Sequence, residues 1–175
     1  ATMRERRIVF ARTAPPIQPP MDFLEMLATT GIVAGYCPLP GEADPGLLGQ
    51  AAIDRGYRLA LPHITGRGQP MRFLSWVPGQ PLATGPFGLK QPEPGSDELT
   101  PDIILAPLLA FDGALNRLGQ GAGYYDRAFA DLPSVLRIGV AWSIQRVDTL
   151  PTQPWDVPLH GIVTETGWIA PEPLS

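Results

Sequence analysis

The sequence predicts an α/β fold in which helices cover both sides of a sheet. Apolar runs of strand length recur along the chain, at 31–39, 57–64, 101–111, 135–142 and 161–166. Their apolar residues are continuous rather than alternating, which indicates strands that are buried on both faces, as in parallel sheets. Segments with helical features lie between several of these runs, and strands that alternate with helices are typical of α/β proteins.

Helical spacing or helix-boundary residues mark three segments, at 21–28, 44–56 and 123–132. In the second, Asp44 can cap the helix, Pro45 suits its first turn and Gly56 suits its end. The third places apolar side chains on one face, at Tyr125, Ala128, Phe129 and Leu132. We therefore expect the last helix to pack against the sheet through that face.

The chain of 175 residues is expected to form one domain, residues 1–175. Residues 1–20 are basic and then proline-rich, and proline fixes φ and removes amide donors, so 13–20 should be an extended arm. Residues 76–101 are rich in proline and glycine and are predicted to be a long loop. Loops of that length in compact domains are usually binding loops or disordered linkers.

Charge and composition exclude several classes of function. The formal net charge of −4 gives no general electrostatic reason to bind nucleic acid or an anionic membrane. Cys37 is the only cysteine, so an internal disulfide and a multi-cysteine metal site are excluded. No secretory leader or apolar run near 18 residues is visible, so a cytoplasmic protein is expected. The sequence leaves the oligomeric state open.

The segment NRLGQGAGYYDRAF, residues 116–129, follows the most apolar strand and leads into a predicted helix. Its glycines allow unusual φ values and let a ligand approach the backbone closely. Exposed amides and a helix N-terminus together favour anions, and Arg117 and Arg127 flank the loop, which indicates phosphate binding. An ordinary tight connection between strand and helix remains the alternative for the glycine pattern alone.

The polar residues after the glycines strengthen the ligand hypothesis. Tyr124 and Tyr125 can stack on a flat heterocycle or hydrogen-bond to it. Asp126 lies in the first turn of the predicted helix, where it either interacts favourably with the helix dipole or ligates Mg²⁺ beside bound phosphates.

The segment ILAPLLAFDGALNRLGQGAGYYDRAF (104–129) resembles the signature of the 5-formyltetrahydrofolate cyclo-ligases, also called methenyltetrahydrofolate synthetases. That signature is a PLVAFD-type strand, a turn and R-L-G-x-G-x-G-Y-Y-D-R. Further segments resemble the family, at 36–45 (YCPLPGEADP), 57–64 (YRLALPHI), 85–92 (GPFGLKQP) and 150–165 (LPTQPWDVPLHGIVTE). The resemblance covers roughly residues 31–168 and implies a three-layer α/β/α sandwich around a mainly parallel sheet.

The resemblance also implies an activity and a site. The family uses ATP and Mg²⁺ to convert 5-formyltetrahydrofolate to 5,10-methenyltetrahydrofolate, ADP and phosphate. Carried over, the nucleotide-binding residues are Arg117, Leu118, Gly119, Gln120, Gly121, Ala122, Gly123, Tyr124 and Tyr125. The folate-binding residues are Glu42, Gln120, Gly121, Ala122, Gly123 and Tyr124, the catalytic residue is Tyr124, and the Mg²⁺ ligands are Asp126 and Asp156.

The chain departs from the family at its N-terminus, where the usual helix carries an ATP-contacting lysine. Here the segment MRERR has no lysine, which leaves Arg4, Arg6 and Arg7 as candidates. A non-catalytic folate- or nucleotide-binding relative is therefore an alternative. A hydrolase that uses His63 or His160 is another, although the chain lacks a G-x-S-x-G motif.

Overall fold

The computed structural model describes residues 1–173, so residues 174–175 of the predicted domain lie outside the described residues. The helices are α1 (Met3–Ala11), α2 (Met21–Met26), α3 (Gly46–Asp54) and α4 (Tyr124–Asp131). The strands are β1 (Ile32–Ala34), β2 (Arg58–His63), β3 (Arg72–Ser75), β4 (Leu82–Thr84), β5 (Lys90–Pro92), β6 (Ile103–Pro107), β7 (Ala110–Phe111), β8 (Arg117–Leu118), β9 (Leu136–Val140), β10 (Gly161–Thr164) and β11 (Gly167–Ile169).

The main sheet has seven strands in the order β11-β10-β9-β6-β1-β2-β3. The five inner strands are parallel to one another, and β3 and β11 are antiparallel strands at the two edges. Successive residues of β6 enter two different cores: Ile103 and Leu105 join one, and Ile104 and Ala106 join the other. The prediction of a mainly parallel sheet buried on both faces is confirmed.

Helices cover each face and make the three layers. The first core contains Phe23 of α2 and Leu48 of α3, and Phe10 of α1 packs against it. The second core contains Phe129 of α4, which is 1% exposed. No helix within the described residues has the length and apolar character needed to cross a lipid bilayer.

Two segments differ from the sequence prediction. The run 101–111 divides into β6 and β7, and β7 pairs with β8 in a separate two-stranded sheet. The region 76–101 contains the antiparallel hairpin of β4 and β5 rather than one structureless loop. Helix α1 lies ahead of the extended arm predicted at 13–20, and Thr2 and Glu5 begin it through a reciprocal capping box.

Candidate functional site

A cleft opens at the carboxyl ends of β1 and β6. Between these neighbouring strands the direction in which the chain adds strands to the sheet reverses. From β1 the chain passes through α3 to β2 on one side, and from β6 it passes through α4 to β9 on the other. Such a reversal leaves a crevice in which α/β proteins bind ligands. The cleft has a volume of about 1160 Å³ and is bordered by Glu42, residues 117–126 and Asp156. Every nucleotide-, folate- and metal-binding residue that the family resemblance implies therefore borders one cleft.

The turn at Asp112 and Gly113 directly precedes the glycine loop and supports it. The buried Asp112 carboxylate accepts hydrogen bonds from the amides of Ala114, Asn116 and Leu150 at 3.0–3.1 Å, and from the Asn116 side chain. Burial alone raises the pKa of Asp112, but these hydrogen bonds together hold it below its usual value. An ionised carboxylate thus organises the turn from which the loop emerges.

The backbone of the glycine loop takes conformations that favour glycine. Gly121 has φ of +102° and Gly123, which directly precedes α4, has φ of +71°. A Cβ atom built on Gly121 would meet no other atom within 4 Å, so open space lies beside this position. No side chain of the described residues caps the first turn of α4. A ligand can therefore approach the loop backbone and the helix N-terminus closely.

The two arginines that flank the loop contact other protein groups. Arg117, whose side chain is 4% exposed, donates a 3.3 Å hydrogen bond to Asp126 and lies over the rings of Tyr125 and Phe129. Arg127 donates to the carbonyl of Ala122 at 3.1 Å and lies over the ring of Tyr124. Arg117 thus anchors the loop to α4 from its buried side, while the exposed Arg127 holds its outer side.

Glu42 borders the cleft from the connection between β1 and α3, and its side chain is 4% exposed. It accepts a 2.9 Å hydrogen bond from the Leu39 amide and a 3.5 Å bond from the Gln120 side chain, and Arg7 lies 3.8 Å away. Burial raises the pKa of Glu42, and these neighbours act against that rise. The carboxylate is thus held in place and still borders the cleft.

The two tyrosines of the loop occupy different surroundings. The hydroxyl of Tyr124 donates to the carbonyl of Gly66 at 3.0 Å, which ties the start of α4 to the segment after β2. Tyr125 packs against Phe129 in the second core, and desolvation raises the pKa of its hydroxyl well above the usual value. Both rings border the cleft, and Tyr125 is fixed in addition by the core and by Arg117.

The two predicted magnesium ligands border the cleft from different segments of the chain. Asp126 is in the first turn of α4 and is partly exposed, and Asp156 lies in a turn where its carboxylate accepts from the Gln153 amide at 2.7 Å. Within residues 1–173 no group of three or more histidine, cysteine or acidic side chains is placed to hold a metal ion. Two carboxylates on cleft walls fit Mg²⁺, which binds one or two carboxylates together with substrate phosphates.

Further residues of the cleft were only candidates from the sequence, as Arg4 was, or were given no role. Arg4 donates a 2.7 Å hydrogen bond to Gln120 and so brings α1 to the glycine loop. Phe87 and Trp155, both more than half exposed, also border the cleft. The Thr2 and Glu5 capping pattern was a signal for α1, but nothing local indicates which face of that helix meets the cleft.

The side chains of the two histidines contact main-chain groups. His63 Nδ1 lies 3.2 Å from the carbonyl oxygen of Pro92, and His160 Nδ1 accepts from the amide of Arg137 at 3.0 Å. Neither forms a hydrogen bond with a serine in the described part of the chain. The geometry therefore does not favour the hydrolase alternative.

Comparisons with known proteins give one consistent result. Residues 12–165 match the model of the 5-formyltetrahydrofolate cyclo-ligase family. A 5-formyltetrahydrofolate cyclo-ligase of Haemophilus influenzae is 39% identical over 97 residues, 52% of each chain. That of Escherichia coli K12 is 31% identical over 140 residues, 75% of this chain and 76% of the relative.

The chain thus spans about half the length of the first of these relatives and about three quarters of the second. The solved structure of Aquifex aeolicus 5,10-methenyltetrahydrofolate synthetase superimposes with a TM-score of 0.66 at 28% identity. The superposition covers 99% of this chain and 83% of that structure. Helix α1 lies before the residues that the family model matches. The contacts of its residues with the cleft are therefore taken from the structure and not from the family model.

Proposed function

The chain belongs to the 5-formyltetrahydrofolate cyclo-ligase family and is an enzyme of that class, and we propose that it uses ATP and Mg²⁺ to convert 5-formyltetrahydrofolate to 5,10-methenyltetrahydrofolate, ADP and phosphate. The observation that carries this proposal is the continuous cleft that joins Glu42, the glycine loop and the two aspartates. Its volume of about 1160 Å³ leaves space for two extended substrates together.

On the folate side, Glu42 is the proposed ligand of the pterin. Each carboxylate oxygen has two acceptor positions, so Glu42 can take paired N–H bonds from the amino-pyrimidine edge beside the bonds from Leu39 and Gln120. Residues 120–124 border the same cleft, and we propose that Tyr124 lies between the folate and the nucleotide. This arrangement supports Tyr124 as the residue that contacts the reacting groups.

On the nucleotide side, the loop from Arg117 to Tyr125 is proposed to bind the phosphates through its backbone amides and the N-terminus of α4. Arg4 borders the cleft and contacts Gln120, whereas Arg7 is buried behind Glu42. Arg4 is therefore our candidate for the cation that replaces the family's N-terminal lysine. Mg²⁺, held by Asp126 and Asp156, would neutralise phosphate charge.

The chemistry needs no protein nucleophile. The formyl oxygen attacks the γ-phosphorus of ATP, and ADP leaves with the electrons of the broken P–O bond. N10 then attacks the activated formyl carbon, and loss of phosphate and of the N10 proton leaves the methenyl bridge. The protein's contribution is to hold the formyl oxygen and the γ-phosphate in line and to exclude water.

The test is turnover followed through the absorbance of the methenyl product. The chain is incubated with 5-formyltetrahydrofolate and Mg²⁺, with and without ATP, and we expect product only when ATP is present. Folate binding without product would instead support the non-catalytic relative. Product formation without ATP would contradict the proposed reaction.

A further inference from the structure

Arg7 is a buried arginine that the proposed reaction does not use. It lies on α1, is 2% exposed and does not border the cleft. Its Nη1 donates to the carbonyl of Leu108 at 3.2 Å and lies 3.8 Å from Glu42 Oε1, and within the described residues its Nε has no hydrogen-bond partner. A buried guanidinium with so few partners is unfavourable unless a nearby charge compensates it.

Glu42 supplies that charge. Few other titratable groups lie near the Glu42 carboxylate. Arg7 and Arg4 approach from α1, Tyr36 from the segment after β1, and Tyr125 from α4. Desolvation raises the pKa of both tyrosines, so they are neutral near pH 7. Burial disfavours the charged form of Glu42, and the two arginines are the cations that favour it.

We propose that Arg7 is a positioning residue for folate binding: from behind the cleft it keeps Glu42 ionised and aimed at the amino-pyrimidine edge. This inference rests on the proposed function. Arg7 itself touches no substrate. It acts because an ionised carboxylate accepts two N–H bonds, whereas a protonated one presents an O–H donor to a donor edge.

The consequence is a shifted pH profile. Burial raises the pKa of Glu42 and Arg7 lowers it, so removal of Arg7 lets Glu42 take up a proton at higher pH. Folate binding by that variant should weaken as pH falls through the raised pKa and recover as pH rises. The loss of the opposite charge raises this pKa further, so the KM for folate should rise severalfold more at pH 6 than at pH 9.

The experiment compares Arg7→Met with the parent enzyme from pH 6 to pH 9. The KM values for 5-formyltetrahydrofolate and for ATP are measured at each pH, and the carboxyl titration of ¹³C-labelled Glu42 is followed in the free protein. Arg7→Lys should restore most of the folate affinity. Arg12→Met removes the same charge from an exposed position after α1 and should change neither profile.

An unshifted Glu42 titration, or equal increases in both KM values at every pH, would overturn the inference. If Arg7→Met does not fold, Arg7→Gln is measured in the same way. The ¹³C titration needs no substrate, so it separates the two hypotheses. A shifted titration in a protein that does not turn over folate would refute the proposed function and leave the Arg7–Glu42 coupling standing.

Discussion

Tyr124 is the residue at which the proposed folate and nucleotide subsites meet. Its ring lies against Arg127 and its hydroxyl donates to Gly66, while the residue itself is only half-buried. Its contacts therefore orient the side chain more than they support the core. The neighbouring Tyr125 packs in the second core, so the two tyrosines should respond differently to truncation.

We expect Tyr124→Ala to lower kcat/KM for 5-formyltetrahydrofolate on the order of a hundredfold, because misplaced reacting groups lose that much rate. The free energy of unfolding should change by less than about 1 kcal/mol, since no core packing is removed. Turnover and thermal unfolding measured on the same preparation check both statements. Tyr124→Phe, which keeps the ring, is the matched control. Normal turnover by Tyr124→Ala would contradict our assignment of this residue.

Individual residues also mark the limit of what the sequence predicts. Glu42, Asp126 and Asp156 were predicted through motifs that surround them, and the structure brings all three to the cleft. Arg4 and Arg7 were only candidates, because their partners, Gln120 and Leu108, are more than 100 residues away. Contacts over that distance depend on how α1 docks, and no local pattern in an arginine-rich segment specifies that.

Among the elements, the inner strands were predictable and the short ones were not. Strand β6 is apolar along its length, and β2 and β9 are mostly apolar, because both faces of the sheet are covered. The edge strand β3 buries only its middle residues, so its pattern is too short to distinguish from a loop. The sequence of the run 101–111 does not show where β6 ends and β7 begins. At the break, the carbonyl of Leu108 accepts hydrogen bonds from the side chains of Arg7 and Gln145 and not from a neighbouring strand.

The glycine loop gives a prediction with a close internal control. Gly121 and Gly79 have φ of +102° and +95°, and a Cβ on either would meet no atom within 4 Å. Alanine at either position should therefore add similar strain, about 1–2 kcal/mol. Only Gly121 borders the cleft.

We accordingly expect Gly121→Ala to raise the KM for ATP about tenfold, because a methyl group would stand where the phosphates approach the amides. Gly79→Ala should lower thermal stability to a similar extent and leave that KM unchanged. Steady-state kinetics and thermal unfolding of the two variants provide the comparison. Equal kinetics in both would mean that the loop serves only as a connection between strand and helix.

At the scale of the whole molecule, the cleft brings together segments that are far apart in the chain. Residues of α1, the connections after β1 and β6, the hairpin of β4 and β5, and the turn at Asp156 all border it. The reversal between β1 and β6 explains why these segments converge. A ligand that contacts several of them should stabilise the fold as a unit, because it binds the folded state and not the unfolded chain.

A non-hydrolysable ATP analogue with Mg²⁺, at about 100 times its Kd, should stabilise the protein by about 2.7 kcal/mol and raise the Tm by about 5–10 °C. EDTA should remove most of that increase, because the phosphates would then face Asp126 and Asp156 without a cation between them. Asp126→Asn should show the same loss even with Mg²⁺ present, whereas Asp131→Asn, an exposed change at the other end of α4, should not. If Asp126→Asn lowered the Tm of the free protein but kept the full ligand-induced increase, Asp126 would act on the helix dipole and not on the metal.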